Sequence, residues 1–183
     1  MSDCLSQATF ATPPESLVPR ARPTILAVGE VSPYGSRPGL ALWCEPRRAS
    51  GDRLRRIMGL TDEQYLEHVA RVNLCDGGRW DAEVARGRFN AVDRASSGRR
   101  PFEVVVLLGA RVRAALRGPA PFEICSVARV VPGDPGAASW FVGLPHPSGR
   151  CRAWNDADAA RRARAILGRL APRIPWGTAE DKM

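Results

Sequence analysis

Glu103-Val104-Val105-Val106-Leu107-Leu108-Gly109-Ala110-Arg111-Val112-Arg113-Ala114-Ala115-Leu116-Arg117 decides the fold. Glu103 to Leu108 is a short, almost wholly apolar run, the pattern of a strand buried on both faces. Gly109 passes at once into a helical stretch over residues 110–117. A buried strand leading directly into a helix is the unit from which parallel sheets are built.

The same alternation recurs on either side. Thr24 to Val28 reads as a parallel strand ending at Gly29. Residues 32–49, rich in Gly, Pro and Arg, read as loop, and Gly51 to Met58 as helix. Thr61-Asp62-Glu63-Gln64 carries a capping-box pattern and predicts a helix to about Arg71. Val72 to Cys75 predicts a short strand. Residues 80–95 predict a helix with Trp80, Val84, Phe89 and Val92 available to one face. Phe122 to Val127 and Ser139 to Gly143 are further strand candidates, and a last helix capped by Asn155 or Asp156 runs to about Leu170. The expected fold class is α/β, a three-layer sandwich whose mostly parallel, central four-stranded sheet is flanked by helices. Residues 1–22 are expected to be a flexible lead-in, 23–175 a single domain and 176–183 a flexible tail.

Composition narrows the class. The chain has 183 residues, is 44% hydrophobic and 25% charged, and contains no apolar run of membrane-span length. Without a basic-then-apolar leader pattern, the expected location is cytoplasmic. The five cysteines, Cys4, Cys44, Cys75, Cys125 and Cys151, form no CxxC pair, so reduced thiols are expected, with no metal site and no cofactor. Net charge is +8, and the only lysine is Lys182. Guanidinium groups suit phosphate, so the surplus points to nucleic acid. Arginine-biased coding explains the choice of residue but not the excess over acidic groups.

Ligands of such folds bind beyond the carboxyl ends of the strands. Two segments fall there. Val28-Gly29-Glu30-Val31-Ser32-Pro33-Tyr34-Gly35 puts a carboxylate directly after a glycine. Glu30 is open to three roles: a base towards water, a metal ligand, or an ordinary cap or salt bridge. Leu144-Pro145-His146-Pro147-Ser148-Gly149 holds an imidazole between two prolines, each restricting the residue before it. By itself that stretch reads equally as a stiff functional loop or a surface turn. The other histidine, His68, is mid-helix and expected to be structural or solvent-facing.

Taken in order, Gly29-Glu30 after an apolar strand, Asn73 on a second element, Val104 to Ala110 entering a helix, and His146-Pro147-Ser148 resemble the uracil-DNA glycosylase superfamily. That family's first motif is GQDPY or GEAPG and its last is HPS. The resemblance spans about residues 24–170. It implies a DNA glycosylase that flips out a pyrimidine-type base and hydrolyses its N-glycosidic bond, leaving an abasic site.

By position, Glu30 would orient or deprotonate water or stabilise the sugar cation. His146 would stabilise charge on the departing base, and Asn73 would read the base's edge. Trp43 or Tyr34 would stack on the base. Ser148, Gly149, Arg150, Arg152 and Trp154 would form the DNA-gripping loop. The chain departs from the pattern at Val31, which stands where GQDPY has Asp, and at Tyr34, one residue late. A displaced Tyr34 leaves room for a bulkier, modified base. Some members of this superfamily remove modified pyrimidines, such as glucosylated hydroxymethylcytosine, from phage DNA. The paired cysteines of the iron–sulfur branch are absent, so no cluster is expected.

The expected partner is DNA, engaged by a monomer. The alternatives are a non-catalytic nucleic-acid-binding member of the same fold and a small-molecule nucleosidase or phosphoryl-binding protein. The arginines after His146 favour DNA over a free nucleoside.

Overall fold

A computed structural model describes residues 24–32, 40–76, 79–96, 102–128 and 138–176. Among the described residues five strands form one sheet: β1 (Ile25–Ser32), β2 (Val69–Asp76), β3 (Val104–Leu108), β4 (Ile124–Ala128) and β5 (Ala138–Leu144). Their order is β2-β1-β3-β5-β4. The first four in that order are parallel neighbours, and β4 runs antiparallel to β5. The helices are α1 (Ser50–Met58), α2 (Asp62–His68), α3 (Ala82–Ser96), α4 (Ala110–Leu116) and α5 (Ala157–Leu170).

Strand alternation builds two apolar layers. Ile25 and Ala27 of β1, with Val104, Val106 and Leu108 of β3, face α1, α2 and α5 through Leu54, Met58, Tyr65, Ala163 and Leu167. Leu26, Val28, Val105 and Leu107 face α3 and α4 through Ala85, Phe89 and Val112. A sheet whose central strands are apolar on both faces requires a helical layer on each side, hence the three-layer sandwich.

The expectation of four strands is corrected to five. All five strand-like segments join the one sheet, because β4 hydrogen-bonds to the outer edge of β5 as an antiparallel neighbour. A short antiparallel return needs no helical crossover, so the β–α alternation does not reveal it. At the other end of β5, Gly143 lets the segment entering β4 approach closely: a Cβ there would lie 2.3 Å from the Ala120 carbonyl oxygen.

Other boundaries also shift. β1 continues past Gly29 to Ser32, and α2 stops at His68 because β2 already begins at Val69. Thr61 forms the expected capping box with Gln64, and Asp156 caps α5. On α3 the inward face is Ala85, Phe89 and Val92, while Val84 is 55% exposed. The lead-in and most of the tail fall outside the described residues. Trp176, assigned from sequence to the tail, donates its indole N–H to the Ala171 carbonyl at 2.9 Å. Among the described residues no helix is long and apolar enough to cross a membrane.

The segment before α1 is held by Asp52, which is 2% exposed. Its carboxylate accepts from the Arg48 backbone N–H at 2.7 Å and pairs with Arg55 and Arg56. Burial pushes its pKa up, but these three donors outweigh burial and hold it below the usual carboxylate value. The carboxylate therefore stabilises the fold above its unfolded pKa, and that stability is lost as pH falls through the folded value. Asp52→Ala should cost about 2 kcal/mol at neutral pH. In urea titrations the difference from the parent should shrink below about pH 4.

Candidate active site

Register explains why distant residues converge. Val28 pairs with Leu107, and Leu107 with Gly143. Two residues further along each strand stand Glu30, Gly109 and Pro145, level with one another at the carboxyl ends. Asn73, paired with Gly29 on β2, lies beside them. β1 loses its β3 partner after Val28, because the chain turns into α4 at Gly109.

Gly109 sets the geometry. Its φ is +92°, a conformation that side-chain-bearing residues rarely adopt. A Cβ at this position would lie 2.8 Å from Glu30 Oε1, 3.3 Å from His146 Cβ and 3.5 Å from His146 Cδ2. The carboxylate and the imidazole thus share the space that the missing side chain leaves. The Gly109 N–H donates to the Leu144 carbonyl at 2.9 Å, tying β3's end to the strand that delivers His146.

Gly29 does the same for Asn73. A Cβ at Gly29 would lie 2.3 Å from Asn73 Oδ1 and 3.4 Å from a Leu42 methyl. The Asn73 side chain, 5% exposed, therefore lies across β1 one residue before Glu30. Glu30 is 22% exposed, and Arg111, in the first turn of α4, stands 3.8 Å from its carboxylate.

His146 has a defined orientation. The Ser148 backbone N–H donates to His146 Nδ1 at 3.1 Å, and the Trp154 indole N–H donates to the His146 carbonyl at 3.0 Å. With Nδ1 accepting, the neutral ring carries its proton on Nε2, which becomes a donor. Burial pushes the imidazole pKa below its usual value, and the nearby Glu30 carboxylate only partly opposes this. At neutral pH the ring is an uncharged Nε2–H donor next to a carboxylate.

The expected site residues divide into two groups. Glu30, Asn73 and His146, from β1, β2 and the loop after β5, are brought together. Ser148 and Trp154 shape the histidine loop from within, the Trp154 ring also packing edge-on to Phe122 at 5.9 Å. Gly149 leaves room for Arg53 of α1, whose Nη1 would be 2.8 Å from a Cβ there. Arg150 and Arg152 are exposed beside that loop. Trp43 is half-buried, with the Arg71 guanidinium 5.0 Å from its ring centre. Val31 is not gathered into this group and packs with the α3–α4 layer. Tyr34 lies outside the described residues. His68, at the end of α2, stands 3.9 Å from Glu67.

Three contributors went unrecognised in sequence: Gly109 as the spacer, Arg111 beside Glu30, and Arg53 under Gly149. The strand–Gly–helix signal marked Gly109 as a turn, but its function as a spacer depends on two other chain segments. Among the described residues no three His, Cys, Asp or Glu side chains cluster in a way that would hold a metal. No protein-family model matches the chain, and no curated protein matches it significantly.

Gly109→Ala should destabilise the fold by about 1–3 kcal/mol through the strained φ, and should move Glu30 from His146. Because burial disfavours the charged imidazole, His146 gives stability that is complete above its unfolded pKa and declines as pH falls towards the folded value. His146→Asn should therefore lose less stability than the parent between about pH 7 and pH 5 in urea melts. Parallel losses in the two proteins would contradict the proton assignment.

Proposed function

We propose that the protein is a monofunctional DNA glycosylase acting on an extruded pyrimidine-type base, uracil or a modified pyrimidine. One observation carries this reading: a carboxylate and a neutral imidazole donor meet at Gly109, with a buried amide alongside. Their order along the chain, with the HPS loop last, is the order of the uracil-DNA glycosylase superfamily, which the sequence resembles.

The chemistry assigned to each group follows from its character. As the C1′–N bond of the nucleotide lengthens, its electron pair moves into the base, and negative charge grows on a ring carbonyl. The His146 Nε2–H is suited to donate to that oxygen. A neutral donor stabilises the developing anion without transferring its proton, and burial strengthens the interaction. The sugar becomes cationic, and the Glu30 carboxylate offsets that charge. Water then adds to C1′, and Glu30 accepts its proton. Asn73 offers both a donor and an acceptor to a pyrimidine edge.

The surroundings suit a nucleic-acid substrate. Arg53 stands by Gly149, Arg150 and Arg152 are exposed on the same loop, and Arg111 flanks Glu30. Extruding a base from a duplex requires such backbone contacts, and their strength should fall with salt.

The test is strand cleavage by alkali after incubation with oligonucleotides bearing uracil, hydroxymethylcytosine or its glucosylated form. Excision from one of these should drop by about 100- to 1,000-fold in His146→Ala and by a similar factor in Glu30→Gln. Tight DNA binding without abasic sites on any substrate would instead favour a non-catalytic DNA-binding protein.

A further inference from the structure

Phe122 has an unusual backbone. Its φ is +64°, a left-handed conformation that bulky residues rarely adopt. Glycine would adopt it freely, so a phenylalanine here contributes its ring against a backbone cost. Phe122 belongs to the short segment between α4 and β4, which runs beside β5 just before the histidine loop. Its N–H donates to the Gly143 carbonyl at 2.7 Å, and the Gly143 N–H donates to the Glu123 carbonyl at 3.1 Å. The absent Cβ of Gly143 permits this approach.

The ring reaches the far end of the same loop. It lies edge-on to Trp154, with ring centres 5.9 Å apart and planes at 76°. Trp154 in turn donates its indole N–H to the His146 carbonyl at 3.0 Å. The Arg162 guanidinium covers the Phe122 ring, 4.7 Å from its centre. That guanidinium is held by one carboxylate oxygen of Asp156 at 2.7 Å, while the other oxygen caps α5. Phe122 is therefore fixed by its backbone to the strand that enters the loop and by its ring to the residue that leaves it. Between these two anchors stand the His146 carbonyl and the Ser148 N–H that donates to His146 Nδ1.

We infer that Phe122 is a positioning residue that acts through Trp154 to hold the His146 imidazole as a fixed Nε2–H donor. The inference rests on His146 as the donor to the departing base. A donor already aimed at developing charge need not reorient during reaction. A misplacement of about 1 Å can cost about 100-fold in rate. Aromatic pairs prefer an edge-on geometry, so the phenyl ring fixes where the indole sits, which an aliphatic side chain of similar size does not. Leucine at this position keeps the apolar contact and the backbone strain but loses the ring. Glycine relieves the strain and loses the ring, and tyrosine keeps the ring.

The test is NMR of the full chain with isotope-labelled histidine, the two histidines being distinguished by His68→Gln. In the parent, His146 should give the nitrogen signals of one Nε2–H tautomer. In Phe122→Leu and Phe122→Gly these should move towards the average of the two tautomers, with the His68 signals unmoved. On an oligonucleotide that the parent processes, both variants should lose about tenfold in kcat with KM unchanged within about twofold. Phe122→Tyr should restore both readouts. Trp154→Phe, which removes the indole N–H, should reproduce the losses, and adding Phe122→Leu to it should cost little more. Unmoved His146 signals in Phe122→Leu or Phe122→Gly would overturn the inference. So would a lowered Tm with those signals intact, which would make the ring a structural support. A raised KM with unchanged kcat would assign Phe122 to DNA contact, and fully additive effects of the Phe122 and Trp154 variants would deny the route through Trp154; either would overturn it. If the parent excises no base but His146 responds as stated, only the glycosylase reading is refuted. Excision with a His146 that is insensitive to residue 122 refutes only this inference.

Discussion

Gly109 leaves β3 at φ +92°, and the Glu30 carboxylate and the His146 ring both lie where its side chain would be. Most of the candidate site depends on this close approach. A side chain there would separate an acid from an imidazole whose proton position is set by the next backbone N–H but one. The same residue ends the pairing of β3 with β1, which leaves the last residues of β1 unpaired on that side. It also bonds to the Leu144 carbonyl and so fixes the height at which the histidine loop departs.

The loop is rigid for reasons that reinforce one another. Prolines on either side of His146 restrict the backbone, Ser148 fixes the ring, and Trp154 fixes the carbonyl. Such preorganisation matters where a neutral donor must meet charge that develops only during reaction, because the donor need not reorient then. Burial keeps the imidazole uncharged near neutrality, while the adjacent carboxylate works against this, so the two groups have complementary electrostatic characters.

The neighbourhood of Arg71 follows a different logic. The rest of the sandwich sorts apolar residues by strand alternation, and Asp52 shows how the fold normally treats a buried charge, surrounding it with donors. Arg71 lies against two aromatic rings, and among the described residues no carboxylate pairs with it.

Much of this was legible in the chain itself. Apolar runs such as Val104–Leu108, followed directly by a glycine and a helical stretch, determine a mostly parallel α/β sandwich, because a strand buried on both faces needs helices on both sides. The capping box at Thr61 and the Asp156 cap are local, and local hydrogen bonds are written in local sequence. Glu30 and His146 were identifiable as residues just past predicted strands, Asn73 only through the family resemblance, and the proline pair marked the histidine loop. The fifth strand's place in the sheet, Gly109 as a spacer, Arg53 beneath Gly149 and the packing of the Arg71 guanidinium on Trp43 and Tyr65 were decided only by tertiary structure. Each depends on the distance between segments far apart in the chain, set by strand register and layer packing, and no local pattern of residues encodes such a distance.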